Sequence, residues 1–262
     1  MGTFPDLSGT RIFDLAQPYF VGMPHHPSHP PFLFSLTKLH GDFTHPSGMS
    51  SAADSISMSG HTGTHLDALN HFSCNGRFFN GHSVVDAQTF SGGVTAHSVS
   101  TVAPILRRAV LLDVAGLLNV AALDEDFTIT PEHLDAALAS SSVAIDQGDV
   151  VLIRTGWAKF WRDSRRYISE VRGPGPAIEG AQWLSNKGIF AAGSDTVAFE
   201  KVPDAGMPVH VHMLVENGIH LIENLNLEEL AAHRITEFLF IAAPLKIEGG
   251  TGAPTRPIAL VS

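Results

Sequence analysis

The stretch His61-Thr62-Gly63-Thr64-His65-Leu66-Asp67-Ala68-Leu69-Asn70-His71-Phe72 places three histidines and an aspartate within eleven residues, and few backbones can use them together. On an α-helix His61 and His65 would share a face, but Asp67 would point away from it, and Thr62, Gly63 and Thr64 are poor helix formers. In an unbroken strand all four groups face one way, yet His61 and His65 lie ~13 Å apart at ~3.3 Å per residue. That is too far for ligands held ~2.0 to 2.2 Å from one ion. The spacing therefore predicts a strand, a bend at Gly63 and a convergence of His61, His65 and Asp67, because glycine bends backbone at the least steric cost.

Two imidazoles and one carboxylate with open positions suit Zn²⁺, Mn²⁺ or Fe²⁺ without choosing among them. Such an ion lowers the pKa of a bound water to ~7 and polarises a carbonyl, so hydrolysis is the natural chemistry. His71, with an ordinary pKa of ~6.5, is the candidate general base. Cys74 is the only cysteine, which excludes an intramolecular disulfide and a multi-thiolate zinc site. Any ligands are then histidine and carboxylate. Each histidine taken singly reads as a solvated loop residue or the partner of a buried polar group; the joint spacing with Gly63 and Asp67 favours the metal.

Outward from this motif, nine of the chain's 15 histidines (25, 26, 29, 40, 45, 61, 65, 71 and 82) fall within residues 25–82. Residues 11–15 read as a strand, followed by a long Pro-, His- and Gly-rich connection from 17 to about 50, a length that suggests a lid or binding loop. Residues 55–59 alternate polar and apolar, a strand with Ile56 and Met58 on one face. Continuous apolar runs at 110–114 and 149–154 predict buried strands, and Thr130-Pro131-Glu132 starts a helix over about 131–139. Pro176 opens a second helix that Gly188 closes, with a strand at 189–193 after it. Residues 208–217 repeat this pattern with Gly218 as the stop, ahead of a strand at 219–223. A short helix at 228–233 and strands at 237–243 and 258–261 complete an alternation that argues for one α/β domain.

The 262 residues are 44% hydrophobic and 16% charged, a balance that excludes disorder and suits one domain with a large core. The formal charge of −10 repels phosphate backbones, so a nucleic-acid partner is not expected. The longest nearly uncharged apolar run, 109–123, contains Asp113 and falls short of the ~20 residues that cross a bilayer. The N-terminus lacks a signal peptide's basic and apolar regions, and Asp6 stands where a myristoylation motif wants Ser or Thr, which leaves the cytoplasm as the expected compartment.

The motif from His61 to Asp67, with His71 following, resembles the His-x-Gly-Thr-His-x-Asp-x-Pro-x-His signature of the cyclase-type metal-dependent hydrolases, the family of bacterial kynurenine formamidase and isatin hydrolase. Asp14-Leu15 with Gly22-Met23-Pro24 resembles the family's opening segment, residues 148–157 its central strand, and residues 218–225 with Pro244-Leu245 its closing half. The resemblance spans nearly the whole chain, 1–262. It implies an α/β swivelling β/β/α fold, a single domain around a mixed sheet, assembled as a homodimer or homotetramer. It also implies that His61, His65 and Asp67 are metal ligands and that His71 is catalytic. The implied activity is hydrolysis of a small amide or lactam, isatin hydrolase-like. An N-formylkynurenine formamidase, or a lyase or cyclase using the same metal site, is the alternative, as is a non-catalytic metal-binding protein.

Two departures stand out. Leu69 replaces the signature's proline, which reshapes the pocket. In the family's two-zinc pattern a later His and a Glu twelve residues on join the shared aspartate, but counting back twelve from Glu223 gives Val211, flanked by His210 and His212. One Mn²⁺ or Zn²⁺ per chain is therefore favoured, two remain open, and His210, His212 and Glu223 are candidates for a second metal or for substrate binding. Residues 249–252 read as a plain turn, Ser194 as pocket-lining at most, and His25 and His26 as surface loop residues or a cover over the site. Phe32, Phe72, Phe78, Phe79 and Trp157 could supply an apolar wall.

Overall fold

In chain order the main strands are β1 (Arg11–Asp14), β2 (Leu33–Lys38), β3 (Ala53–Ser57), β4 (His65–Asp67), β5 (Ile105–Asp113), β6 (Val150–Arg154), β7 (Ala191–Ser194), β8 (His220–Glu223), β9 (Glu237–Ala242), β10 (Gly252–Pro254) and β11 (Ile258–Val261). The computed structural model describes residues 8–261; the N-terminal residues read above for leader and acylation signals lie outside them. Nine strands form one mixed sheet in the order β1-β11-β9-β5-β6-β7-β8-β4-β10. Its centre, β5 to β8, is parallel, and antiparallel pairs extend it on both sides. The expected α/β fold around a mixed sheet is what forms.

Strands buried on both faces read as unbroken apolar runs, and β5 and β6 sit at the centre for that reason. Val110, Leu112, Val151 and Ile153 pack on one face against Leu134, Leu184, Val209 and Met213 of the helices. Ala109, Leu111, Val150 and Leu152 pack on the other against Phe13, Leu230, Phe238 and Phe240. The covering helices are α1 (Pro131–Ser141), α2 (Ile178–Ser185), α3 (Pro208–His210) and, on the second face, α4 (Glu228–Ala232). Pro131 stands at the start of α1, where no amide proton is needed, and His133 Nδ1 accepts from the Thr130 N–H at 3.1 Å. At the C-terminal edge of the sheet the Arg154 guanidinium donates to Asp113 at 2.8 Å and to both oxygens of Glu228 at 2.9 Å, tying β5, β6 and α4 together.

Three local expectations are corrected. The connection after β1 is not irregular throughout, because β2 pairs with β3 in an antiparallel ribbon. The one-sided burial expected of residues 55–59 does not follow: β3 is exposed along its length and Ile56 is 54% exposed, although Met58 packs against an apolar cluster that includes Trp157 and Tyr167. Alternation reports a buried face only where that face meets the body of the protein, and this ribbon stands away from the sheet. Finally, the helix expected over 208–217 is α-helical only through His210 and then widens into a π-helical segment, Val211–Glu216, in which the Asn217 N–H bonds the His212 carbonyl at 3.1 Å. No helix among the described residues is long and apolar enough to cross a membrane.

Candidate metal centre

Gly63 makes the bend, with φ at +66°. A Cβ there would also lie 2.6 Å from Cζ of Tyr19, whose hydroxyl donates to the Thr62 carbonyl at 2.7 Å, so glycine is required for both conformation and space. The bend delivers His65, Leu66 and Asp67 to β4, which lies fully buried between β8 and β10. Leu66 points into the apolar core, while His65 and Asp67, two residues apart, share the opposite face. The register sets Glu223 directly opposite His65, the spacing at which cross-strand side chains meet.

Five donors converge on that face. Asp67 Oδ1 lies 2.7 Å from His61 Nδ1 and 3.4 Å from His65 Nε2. His210 Nε2 lies 3.8 Å from Asp67 Oδ2 and 3.2 Å from Glu223 Oε1, and Glu223 Oε2 lies 3.6 Å from His65 Nε2. Two triads result, His61–His65–Asp67 and Asp67–His210–Glu223, with the donor atoms of each within 4.8 Å of one another. Donors around an ion with bonds of ~2.0 to 2.2 Å are about 3 to 3.5 Å apart, so the set fits a divalent cation. A second sign is Asp67 Oδ2, which is buried without a hydrogen-bond partner, a costly condition that a cation would relieve.

The outer contacts fix which ring nitrogen faces the centre. His65 donates from Nδ1 to the Gly63 carbonyl at 2.8 Å, and Asn224 Nδ2 donates to the same oxygen at 3.1 Å. His210 donates from Nδ1 to Glu200 Oε1 at 2.6 Å. His61 Nε2 faces Thr251 Oγ1 at 2.9 Å. Burial alone would push His210 down, but its bonds to Glu200 and Glu223, with Asp67 nearby, push it up to about 10. Asp67 is opposed by burial in the same way, yet His71 and His61 hold it well below the carboxylate range.

His71 is not among the triads. Its ring stacks on that of His61 at 3.9 Å, and burial pushes its pKa down to about 3, so it is a neutral proton acceptor at neutral pH. It lines a cavity of about 290 Å³ with Pro24, His25, His26, His29, Phe72, Val197, Ala198 and Met207. Thus His25 and His26 are pocket residues, and of the aromatic candidates Phe72 alone is in the lining. Phe32 and Trp157 belong to a neighbouring apolar cluster, Phe78 is buried elsewhere, and Phe79 packs against the helix-side core. Ser194 is buried and bonds Thr196 at 2.7 Å instead of lining the pocket.

His212 is the corrected candidate: it lies two residues beyond His210, on another side of the helix, where its ring bonds Ser185 at 2.9 Å and Glu216 at 2.9 Å. His210 and Glu223 do reach Asp67, thirteen residues apart, with the π-helical segment between them. Three contributors escaped the sequence reading. Glu200 and Asn224 act through hydrogen bonds made across the fold and carry no local signature. Thr251 sits in the segment read as a turn, whose end instead forms β10 beside β4.

Two outcomes follow from this geometry. Gly63→Ala should destabilise the protein by about 1–3 kcal/mol and lower metal per chain, read by urea unfolding and elemental analysis. In chelator-treated protein the raised His210 contributes stability that is full below its unfolded pKa of ~6.5 and is lost as pH rises toward about 10. The melting temperature should therefore fall across that window, and His210→Gln should flatten the fall; equal slopes for the two proteins would contradict the assignment.

A family model described as "Putative cyclase" matches residues 13–201. Isatin hydrolase of Roseibium aggregatum is 30% identical over 209 residues, covering 77% of this chain and 72% of that protein. A kynurenine formamidase of Bacillus thuringiensis subsp. konkukian is 27% identical, covering 78% of this chain and 77% of that protein. Among solved structures, one described as a novel cyclase superposes with a TM-score of 0.88 at 27% identity, covering 97% of this chain and 87% of that one. With the family model spanning residues 13–201 and the fold shared over 97% of the chain, the chain belongs to the cyclase family, alongside relatives that are hydrolases.

Proposed function

We propose that this protein is a divalent-metal-dependent hydrolase that opens the C–N bond of a small, uncharged amide or lactam, isatin being the model substrate. The observation that carries the reading is the placement of His71, a neutral base stacked on His61, at a cavity lined by four of the five donors, His61, His65, His210 and Glu223. His61, His65 and Asp67 would hold one Mn²⁺ or Zn²⁺, and Asp67 with His210 and Glu223 would hold a second if two bind. A cation there supplies Lewis-acid polarisation of the substrate carbonyl and makes a nearby water more acidic.

The protein's own groups do the rest. Phe72, Val197, Ala198 and Met207 give the substrate an apolar wall. His71 takes a proton from the attacking water as a C–O bond forms at the carbonyl carbon. It returns the proton to the nitrogen as the C–N bond breaks, leaving a carboxylate and an amine. The formamidase reading is less favoured because N-formylkynurenine carries an ammonium and a carboxylate, and the cavity lining among the described residues contains no Lys or Arg to meet the latter.

The test compares kcat/KM for isatin and N-formylkynurenine in protein loaded with Mn²⁺ or Zn²⁺, together with metal per chain. Isatin should be preferred. His71→Ala should lower kcat by about 10²- to 10⁴-fold while metal content holds, whereas Asp67→Ala should lose the metal. Preference for N-formylkynurenine, or dehydration of a hydroxy acid in place of hydrolysis, would move the assignment to the alternatives.

We also propose a homo-oligomer, in keeping with the β2–β3 ribbon. An isolated two-stranded ribbon is marginal in water, and this one exposes Leu33, Phe34, Leu36 and Ile56, which a second copy would cover. Sedimentation should give a dimer or tetramer mass, and Phe34→Glu should shift it toward the monomer. The cytoplasm is the proposed compartment.

A further inference from the structure

The proposed reaction leaves one side of the cavity unexplained. Residues 26–29 fold into a tight turn in which the His29 N–H donates to the His26 carbonyl at 2.9 Å. The Ser28 N–H lies 3.2 Å from His26 Nδ1, and the Ser28 hydroxyl 2.6 Å from it. With Nδ1 of His26 accepting from the backbone, its own proton is on Nε2. The turn brings the His29 ring to 5.2 Å from that of His61 and 6.5 Å from that of His71. His29 is in neither triad, and its Nδ1 is buried without a hydrogen-bond partner. Both residues line the cavity, whose apolar lining is Pro24, Phe72, Val197, Ala198 and Met207.

A ring that packs for shape alone has no need of a buried, unanswered nitrogen, and leaving one carries a desolvation cost. A polar atom that His29 could reach lies close to the carbonyl presented to the donor set, because the His29 and His61 rings are only 5.2 Å apart. Neutral imidazole offers one N–H and one lone pair, which suits an uncharged oxygen acceptor. We propose that His29 is a substrate-binding residue that donates to a second carbonyl oxygen adjacent to the scissile one, with His26 flanking it, so that the pocket selects a 1,2-dicarbonyl lactam over a simple amide. This rests on the hydrolase reading above and adds to it the residue that recognises the far end of the substrate.

The experiment uses metal-loaded full-length protein, His29→Phe and His29→Gln. It measures kcat and KM for isatin, metal per chain, and calorimetric binding of isatinate, the ring-opened product, which retains the keto oxygen. His29→Phe should raise KM for isatin and Kd for isatinate about 3- to 10-fold, the equivalent of one neutral hydrogen bond, with kcat and metal content within about twofold. His29→Gln, which keeps an N–H donor, should recover most of the loss. Unchanged KM and Kd in the Phe variant, or a Gln variant as poor as Phe, would overturn the hydrogen bond. Loss of metal in either variant would make His29 a ligand and overturn the assignment as well. Wild-type protein that binds isatinate through His29 but leaves isatin intact would sink the lactamase reading and support this one; wild-type protein that does neither would sink both.

Discussion

A carboxylate buried to zero exposure among imidazoles is the constraint on which the rest of this structure depends. Asp67 has one oxygen turned to His61 and His65 and the other, unpaired, toward His210. Burying such a group is costly unless positive charge compensates it, and the imidazoles beside it come from two separate chain segments, the 61–71 motif and the helix begun at Pro208. The end of β8 adds a second carboxylate, Glu223, that the same histidines face, so all three segments must be in register for the charge to be answered.

The sheet provides that register. β4 is only three residues long, yet it is held on both sides, by β8 opposite His65 and by β10 opposite Asp67. A shift of one residue would exchange Leu66 for its neighbours and put His65 and Asp67 into the apolar core. The loop after β8 holds the motif from the other end: Asn224 donates to the Gly63 carbonyl, and the Thr64 hydroxyl donates to the Asn224 carbonyl at 2.6 Å. Glu200, almost fully buried, accepts both the His210 backbone N–H at 2.9 Å and its ring N–H. The candidate donors are therefore positioned by a shell that is itself hydrogen-bonded and buried.

Local chemistry made much of this readable in advance. The bend at Gly63 and the shared direction of His65 and Asp67 followed from ligand distances and strand parity. The parallel centre followed from runs of Val, Leu and Ile that only a doubly covered strand can bury. What misled was equally physical. Alternation at Ile56 implied a buried face, but a projecting ribbon has no body beneath it. The Gly-rich residues 249–252 had too little side chain to announce a strand, although their small size lets β10 approach His61, where a Cβ on Gly252 would lie 2.5 Å from Cε1.

The sequence by itself determined the first triad, the catalytic candidate beside it and the class of sheet, because each depends on spacings within a few residues or on one segment's hydrophobic pattern. Only the tertiary structure decided between His210 and His212. The two are neighbours in sequence, and the winding from α3 into the π-helical segment turns one to Asp67 and the other to Ser185 and Glu216. It likewise decided the hydrogen bonds by which Glu200, Asn224 and Thr251 hold the donor cluster, and the place of His29 in the cavity lining. These contacts join residues as many as 190 positions apart, and a separation of that kind leaves no periodicity in the chain to read.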